Sequence, residues 1–245
     1  KLIEKEFLFE IQLKKIDPIK IEENLANVAI VGDKMKDHQG ISGKMFSSLG
    51  LNNVNIRAIA QGSSERNISI IINQNDTKKA LNTLHEAFFE KYIKTLNLFI
   101  VGVGNVGSKL IEQIQKQKKY LENYLRLRIK IIAIANSKKT LVDVNSIDVK
   151  NWRKKLDKAQ KTNLNDLFEK VKQLNLRNSI FIDNTADERV SLEYKRYLEN
   201  NIGVVTCNKI ACADNFKNYK ALKTVSRKFN SPFLFETNVG AGLPV

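Results

Sequence analysis

Gly102, Gly104 and Gly107 follow the apolar run Leu98–Val101 at the spacing Gly-x-Gly-x-x-Gly. Val106, Leu110, Ile111 and Ile114 then recur with helical period. A glycine turn between a strand and a helix is the setting in which this spacing holds a dinucleotide. Gly102 permits the tight turn. Gly104 lets the backbone approach a pyrophosphate, which sits on the N–H groups opening the helix at Asn105 and Val106. Gly107 lets the helix lie close to the strand.

Two further strand ends bear on the same ligand. Arg128–Ala135 reads as the second strand and runs into Ala135-Asn136-Ser137-Lys138-Lys139. An NAD site carries Asp or Glu there, on the ribose 2′-hydroxyl. No carboxylate is present here, and two lysines would attract a 2′-phosphate. The expected cofactor is therefore NADP(H), with Ala135, Ser137 and Lys138 beside it. The competing reading makes Lys138 and Lys139 the start of a solvated loop. Ser179–Ile182 reads as a buried strand ending in Asp183-Asn184-Thr185-Ala186. Ligands of doubly wound sheets bind beyond the carboxyl ends of strands, which puts Thr185 in reach of the cofactor.

The elements that must position these residues alternate along the chain. From residue 97 strands alternate with helices, as a parallel doubly wound sheet requires. Helices are expected over 150–160, 163–174, 187–199 and 216–229, and strands over 204–206 and 233–237. Before that, residues 25–90 read β-α-β-β-α, an α/β sandwich with an antiparallel component: strands 25–31, 54–60 and 68–72, helix 38–49, and a helix capped by Asp76 or Thr77. Phe7–Leu13 alternates as a strand that Asp17-Pro18 breaks. The expected domains are 1–22, the tail of a preceding domain; 23–92; 97–235; and 236–245, the start of a truncated domain. The chain lacks an initiator Met and stops at Leu-Pro-Val, and is read as a fragment of a longer protein.

Composition narrows the function classes. The chain has 245 residues, 42% of them hydrophobic, enough for packed cores, and no run approaches a membrane span. His38 and His85 are the only histidines, which argues against a histidine-based triad. Cys207 and Cys212 have no histidine beside them, so they form neither a zinc pattern nor a disulfide framework. Two reduced thiols in a cytoplasmic protein are expected. The net charge of +15 invites a nucleic-acid reading, but the lysines are spread and interleaved with acids, and no recognised binding motif accompanies them. Neither a nucleic acid nor a membrane is expected as a partner.

Two resemblances organise the rest. Ala29-Ile-Val-Gly-Asp33, Gly40-Ile-Ser-Gly-Lys44, Asn55–Arg66 and Ser69-Ile70 resemble the regulatory ACT domain of aspartokinases. Gly102–Gly107, Ala135-Asn-Ser137, Asp183-Asn-Thr185, Val205-Thr-Cys-Asn-Lys209 and Phe235–Val245 occur in the order seen in homoserine dehydrogenase. Together they resemble the middle of the bifunctional aspartokinase/homoserine dehydrogenase family, over nearly the whole chain. The implied fold is an ACT-like α/β sandwich followed by a Rossmann nucleotide-binding domain.

The resemblance implies reversible reduction of L-aspartate 4-semialdehyde to L-homoserine with NADPH. It also implies an aspartate kinase, with ATP and Mg, in a part of the parent outside this chain. The catalytic residue matched by motif is Lys209, whose ammonium can stabilise developing alkoxide charge and also borders the cofactor. Glu236, with the carbonyls of Val239, Ala241 and Leu243, matches the family's site for sodium or another monovalent cation; all-oxygen ligands suit a hard cation. Gln61 matches the position that binds an amino-acid effector, threonine by family expectation; its amide can donate to a carboxylate and accept from an ammonium. A homo-oligomer is expected, and the isolated chain is expected not to turn over substrate. Cys207 replaces a common proline and is expected to loosen its turn, and Asn184 replaces a common cysteine. The competing readings are an amino-acid-sensing ACT module with a non-catalytic nucleotide domain, and a basic nucleic-acid-binding protein.

Overall fold

The computed structural model describes residues 2–33, 35, 38–62, 66–89, 93–213 and 215–236. By its internal contacts the chain divides into two units, residues 1–39 with 55–77, and residues 40–54 with 78–245.

The smaller unit is built on three strands, β1 (Leu25–Val31), β2 (Ile56–Gln61) and β3 (Asn67–Asn73). They form an antiparallel sheet in the order β1-β3-β2. The central strand alternates as period-two patterning requires, with Ile68, Ile70 and Ile72 buried. β2 starts at Ile56, later than the expected residue 54, and its register against β3 shifts between Ile56 and Ala58. Ahead of the helix whose cap is expected at Asp76 or Thr77 the chain passes through a 3-10 turn, Gln74–Asp76, where Asn73 accepts from Asn75 N and Thr77 Oγ1 donates to Gln74 O.

The strand expected over Phe7–Leu13 does not form. Two short helices replace it, α1 (Leu2–Glu6) and α2 (Leu8–Gln12), with Phe7 N donating to Ile3 O and Ile11 N to Phe7 O. A strand needs a neighbour to pair its backbone, and this segment pairs with none of the three described strands; a helix satisfies those groups within itself.

The larger unit carries α3 (Ile41–Leu51), α4 (Thr77–Phe88, from Lys78 on) and a seven-stranded sheet. In chain order the strands are β4 (Lys94–Val101), β5 (Leu127–Ala135), β6 (Lys139–Val142), β7 (Gln160–Lys161), β8 (Ser179–Asp183), β9 (Gly203–Thr206) and β10 (Phe233–Leu234). Their order is β10-β9-β8-β4-β5-β6-β7. The first five are parallel, whereas β6 and β7 are antiparallel additions at one edge.

The connecting helices are α5 (Asn105–Asn123), α6 (Trp152–Asp157), α7 (Leu164–Leu174), α8 (Glu188–Ser191), α9 (Tyr194–Glu199), α10 (Ile210–Ala213) and α11 (Phe216–Lys228). They divide between two apolar cores. Leu98 and Ile100 pack with Ile111, Trp152 and Leu156 of α5 and α6. Phe99 and Val101 pack with residues of α7 to α11. Alternate residues of one strand thus feed opposite cores, which is what doubly wound means in residues. In the second core Phe181 stacks on Tyr197 with centroids 4.1 Å apart, and Phe168 meets Tyr197 edge-on.

Several expected bounds move. Gln160, expected helical, pairs in β7, because Thr162 Oγ1 donates to Asn136 O and Thr162 N to Lys138 O, drawing this segment onto β6. The helix expected over 187–199 is two, α8 and α9, broken at Leu192-Glu193. The strand expected over 233–237 covers two residues, and residues 237–245 lie outside the described ones. The short α10 was not anticipated.

The start of α7 has a sequence-local cause. Asn163 Oδ1 accepts from Asn165 N at 2.9 Å and Asp166 N at 3.3 Å, satisfying two donors that a helix end leaves open. Asn163→Ala is expected to cost about 1 kcal/mol, read as a lower urea midpoint at unchanged slope, with Asn163→Asp retaining most of it. An unchanged midpoint for the alanine variant would contradict the capping role.

Candidate functional site

The carboxyl ends of β4, β5, β8 and β9 converge at the glycine turn. Gly102 has φ +88°, a conformation L side chains rarely adopt, and its N donates to Ala135 O at 2.9 Å. A Cβ on Gly102 would stand 2.7 Å from Asn184 C and Thr185 Cγ2, so the 184–185 backbone crosses close over the turn. A Cβ on Gly107 would stand 1.9 Å from Gly102 O, the close approach expected of the third glycine. Gly104 differs: a Cβ there meets nothing within 4 Å. It precedes α5, whose opening residues Asn105 and Val106 are exposed. The space over the helix start is therefore open, and first-turn N–H groups face an acceptor from outside the helix.

Ala135 is fully buried and leads into a tight hairpin. Asn136 Oδ1 accepts from Lys138 N at 2.8 Å and Lys139 N at 2.7 Å, and Asn136 N donates to Lys139 O. Ser137 and Lys138 are exposed at its tip, whereas Lys139 begins β6. These residues thus form an ordered turn, fixed by one asparagine carbonyl. A cavity of about 390 Å³ is lined by Asn136, Ser137, Thr162, Thr185 and Arg189 among others. It brings Ser137 and Thr185 together; Lys138 and Lys209 do not line it.

Beneath lies a polar hub that sequence reasoning missed. Asp183, with no exposed surface, ends β8. Its Oδ1 accepts from Thr185 N at 2.7 Å. Its Oδ2 accepts from Tyr194 Oη at 2.5 Å and from Asn208 Nδ2 at 3.0 Å. Asn208 also donates to Asp187 O at 3.1 Å, and its Oδ1 accepts from Ile210 N. Burial, then the Asp183 charge, pushes the Tyr194 phenol well above its ordinary range, so it stays a donor. Lys209 follows this anchored asparagine, is exposed, and heads α10, whose Cys212 and Ala213 N–H groups donate to its carbonyl.

Cys207 N donates to Asp183 O at 3.1 Å, a bond that proline lacks and that ties this turn to the end of β8. Burial, then Asp183, raises the Cys207 thiol, which favours its protonated, unreactive form. Asn184 accepts from Cys207 Sγ at 3.7 Å, yet its Nδ2 is buried without a partner and lies 3.2 Å from where a Gly107 Cβ would be. A buried donor left open beside a glycine turn is the kind of group a bound ligand satisfies.

Arg189 was likewise missed. It pairs with Asp187 (Nη2–Oδ2 2.6 Å, Nε–Oδ1 3.0 Å), which lowers the Asp187 carboxyl, and it stays largely exposed at the cavity. An arginine four residues beyond Thr185, after a strand whose end faces a ligand, was the available signal.

The other expected residues belong to other segments of the chain. Gln61 ends the edge strand β2 in the smaller unit and is exposed. Glu236 is exposed, and Val239, Ala241 and Leu243 lie outside the described residues. Among the described residues no group of three or more His, Cys, Asp or Glu could hold a metal, and no helix is long and apolar enough to cross a membrane.

Comparison with known proteins places these features among relatives. Residues 28–88 match the ACT domain model, and residues 102–236 match the model of the homoserine dehydrogenase NAD binding domain. The chain is 40% identical over 246 residues to the bifunctional aspartokinase/homoserine dehydrogenase of Buchnera aphidicola, covering 100% of this chain and 30% of that protein. It is 39% identical to the protein of the same description from Haemophilus influenzae, again over 100% of this chain and 30% of the relative. Among solved structures it resembles a hyperthermophilic archaeal homoserine dehydrogenase in complex with NADPH, with TM-score 0.51 and 26% identity over 62% of this chain and 47% of that one. The chain thus spans about 30% of the length of the curated relatives it matches.

Proposed function

The chain belongs to the homoserine dehydrogenase family through its NAD-binding domain, and from that premise we propose that it is the regulatory and cofactor-binding part of a bifunctional aspartokinase/homoserine dehydrogenase. The reaction is NADPH-dependent reduction of L-aspartate 4-semialdehyde to L-homoserine; the parent also phosphorylates L-aspartate with ATP and Mg. The observation that carries the reading is the glycine turn with open space over Gly104 and the unpartnered Asn184 Nδ2 beside Gly107.

The residues fit the group. Asn105 and Val106 N–H groups at the start of α5 take the pyrophosphate, with the helix dipole favouring its charge. Ser137 and Lys138 take the ribose end, and Thr185 meets the cofactor from β8. When bound, NADPH supplies the hydride. Lys209 supplies charge: it follows Asn208, whose side chain is anchored on Asp183, and its ammonium stabilises the alkoxide that forms as the aldehyde is reduced. A lysine so placed favours an enzyme over a nucleotide-binding module without chemistry. Glu236 holds sodium or a similar cation with the carbonyls of Val239, Ala241 and Leu243. Gln61 binds the amino-acid effector, threonine. The protein works in the cytoplasm as a homo-oligomer, with neither nucleic acid nor membrane as partner. Its domains are 23–92 and 97–235, after a tail to residue 22 and before the start of a further domain at 236.

NADP preference rests on the hairpin tip. Lys138→Glu places an acid near a 2′-phosphate, and is expected to weaken NADPH binding about tenfold, or 1.4 kcal/mol, while leaving NADH nearly unchanged. Parallel calorimetric titrations of both cofactors read this directly. Equal losses for the two would contradict the assignment of Lys138.

A further inference from the structure

The cavity of about 390 Å³ at the ends of β5 and β8 has an apolar part, formed by Val101, Leu164 and Val190, and a polar rim. Among the described residues that line it, Asp187 and Arg189 alone carry charge. They are paired, so the lining has no surplus of either sign. Arg189 Nη2 lies 2.6 Å from Asp187 Oδ2, and Nε lies 3.0 Å from Oδ1. Two bonds from one edge of the fork to one carboxylate fix the plane of the guanidinium. The contact lowers the Asp187 carboxyl and raises the guanidinium, so both stay charged at neutral pH.

Asp187 is itself held in place. Its N donates to Thr185 Oγ1 at 3.2 Å, and its O accepts from Asn208 Nδ2 at 3.1 Å. Asn208 leads on to Asp183, so the arginine is tied to the buried hub. Its own side chain is nevertheless 80% exposed. An ion pair so exposed adds little to stability, and folding alone does not account for its order.

The rim adds a third feature. Asn163 spends its Oδ1 on the first N–H groups of α7, and Asn165 spends its Oδ1 on Arg196 Nη1. Both line the cavity, and each keeps an Nδ2 group to donate. A phosphate gains little from a guanidinium that a carboxylate already neutralises. A neutral planar ring with acceptor nitrogens gains from all three: the flat guanidinium, the apolar part and the amide donors. Arginine stacks on such rings with its delocalised, weakly hydrated plane.

We propose that Arg189 is the platform on which the adenine ring of the dinucleotide stacks, and that it serves NADPH and NADH alike. The assignment rests on the proposed cofactor site and gives the base a residue of its own. The pyrophosphate goes to the start of α5. The 2′-phosphate goes to Lys138, which does not line this cavity. Arg189 therefore sets affinity for the part that the two cofactors share, and Lys138 the choice between them.

The test is calorimetric titration of NADPH and of NADH into the chain and into Arg189→Ala and Arg189→Lys. Arg189→Ala is expected to weaken both cofactors by the same factor, about tenfold, whereas Lys138→Glu spares NADH. Lysine keeps the charge without the flat face, and is expected to bind no better than alanine. The bond from the residue 189 N to Asp187 Oδ1 is made by main chain and survives both substitutions, and thermal melting of each variant checks folding. Unchanged binding in Arg189→Ala, recovery in Arg189→Lys, or a loss confined to NADPH would overturn the assignment while the cofactor site stood. A folded wild-type chain that binds neither cofactor would overturn the site and the assignment together.

Discussion

Gly104→Ala is expected to leave the chain folded and to abolish NADPH binding, whereas Gly107→Ala is expected to damage both. The added methyl is the same, so the difference lies in where it goes. At Gly104 it enters open space, and that space is where the pyrophosphate must come. At Gly107 it would stand 1.9 Å from Gly102 O, so helix and turn must part. Overpacking of this kind costs roughly 1–3 kcal/mol or more, set against the ~1 kcal/mol by which alanine suits a helix better than glycine. The backbone clash wins, because neither the turn carbonyl nor the helix can yield without moving β4. Urea unfolding and NADPH titration on both variants separate the cases. A Gly104→Ala chain that still bound NADPH with wild-type affinity would remove the open helix start from the account.

The second large effect is at Asp183. Asp183→Ala leaves Thr185 N, Tyr194 Oη and Asn208 Nδ2 without their common acceptor in a buried site. Each buried donor left open costs about 1–3 kcal/mol, so the loss is several times that expected at a helix cap. Tyr194→Phe removes a single hydroxyl, shared between Asp183 and Thr206, and is expected to cost about 1–2 kcal/mol. Urea unfolding of both variants gives the comparison. Asp183→Ala with a loss no larger than that of Tyr194→Phe would show that the hub is not centred on the carboxylate.

The parts of the fold legible in sequence were those where one local rule decides. Leu98–Val101, the three glycines and the helical period after them sit within one βα unit, and the positive φ of Gly102 and the approach of Gly107 to Gly102 O are both local constraints, although the 184–185 backbone also crosses over Gly102. The antiparallel sheet of the smaller unit was readable for the same reason, since the buried isoleucines of β3 alternate. Where partners are distant the reading failed. Tyr194 and Asn208 are 11 and 25 residues from Asp183, and nothing in their own surroundings marks them as its ligands. The β6–β7 hairpin is polar and short, and depends on Thr162 reaching Asn136, 26 residues away. Phe7–Leu13 shows the converse error. Its alternation was real, but a strand also needs an edge to join, and period alone does not say whether one exists.

On the proposed function, the glycine turn and the β8 end form a nucleotide site for NADPH. The deciding measurement is a titration of NADPH into the 245-residue chain, followed by the cofactor's own fluorescence. One saturable site per chain is expected, tighter for NADPH than for NADH and lost in Gly104→Ala while circular dichroism stays unchanged. A folded chain that leaves NADPH fluorescence unaltered at saturating protein would contradict the account.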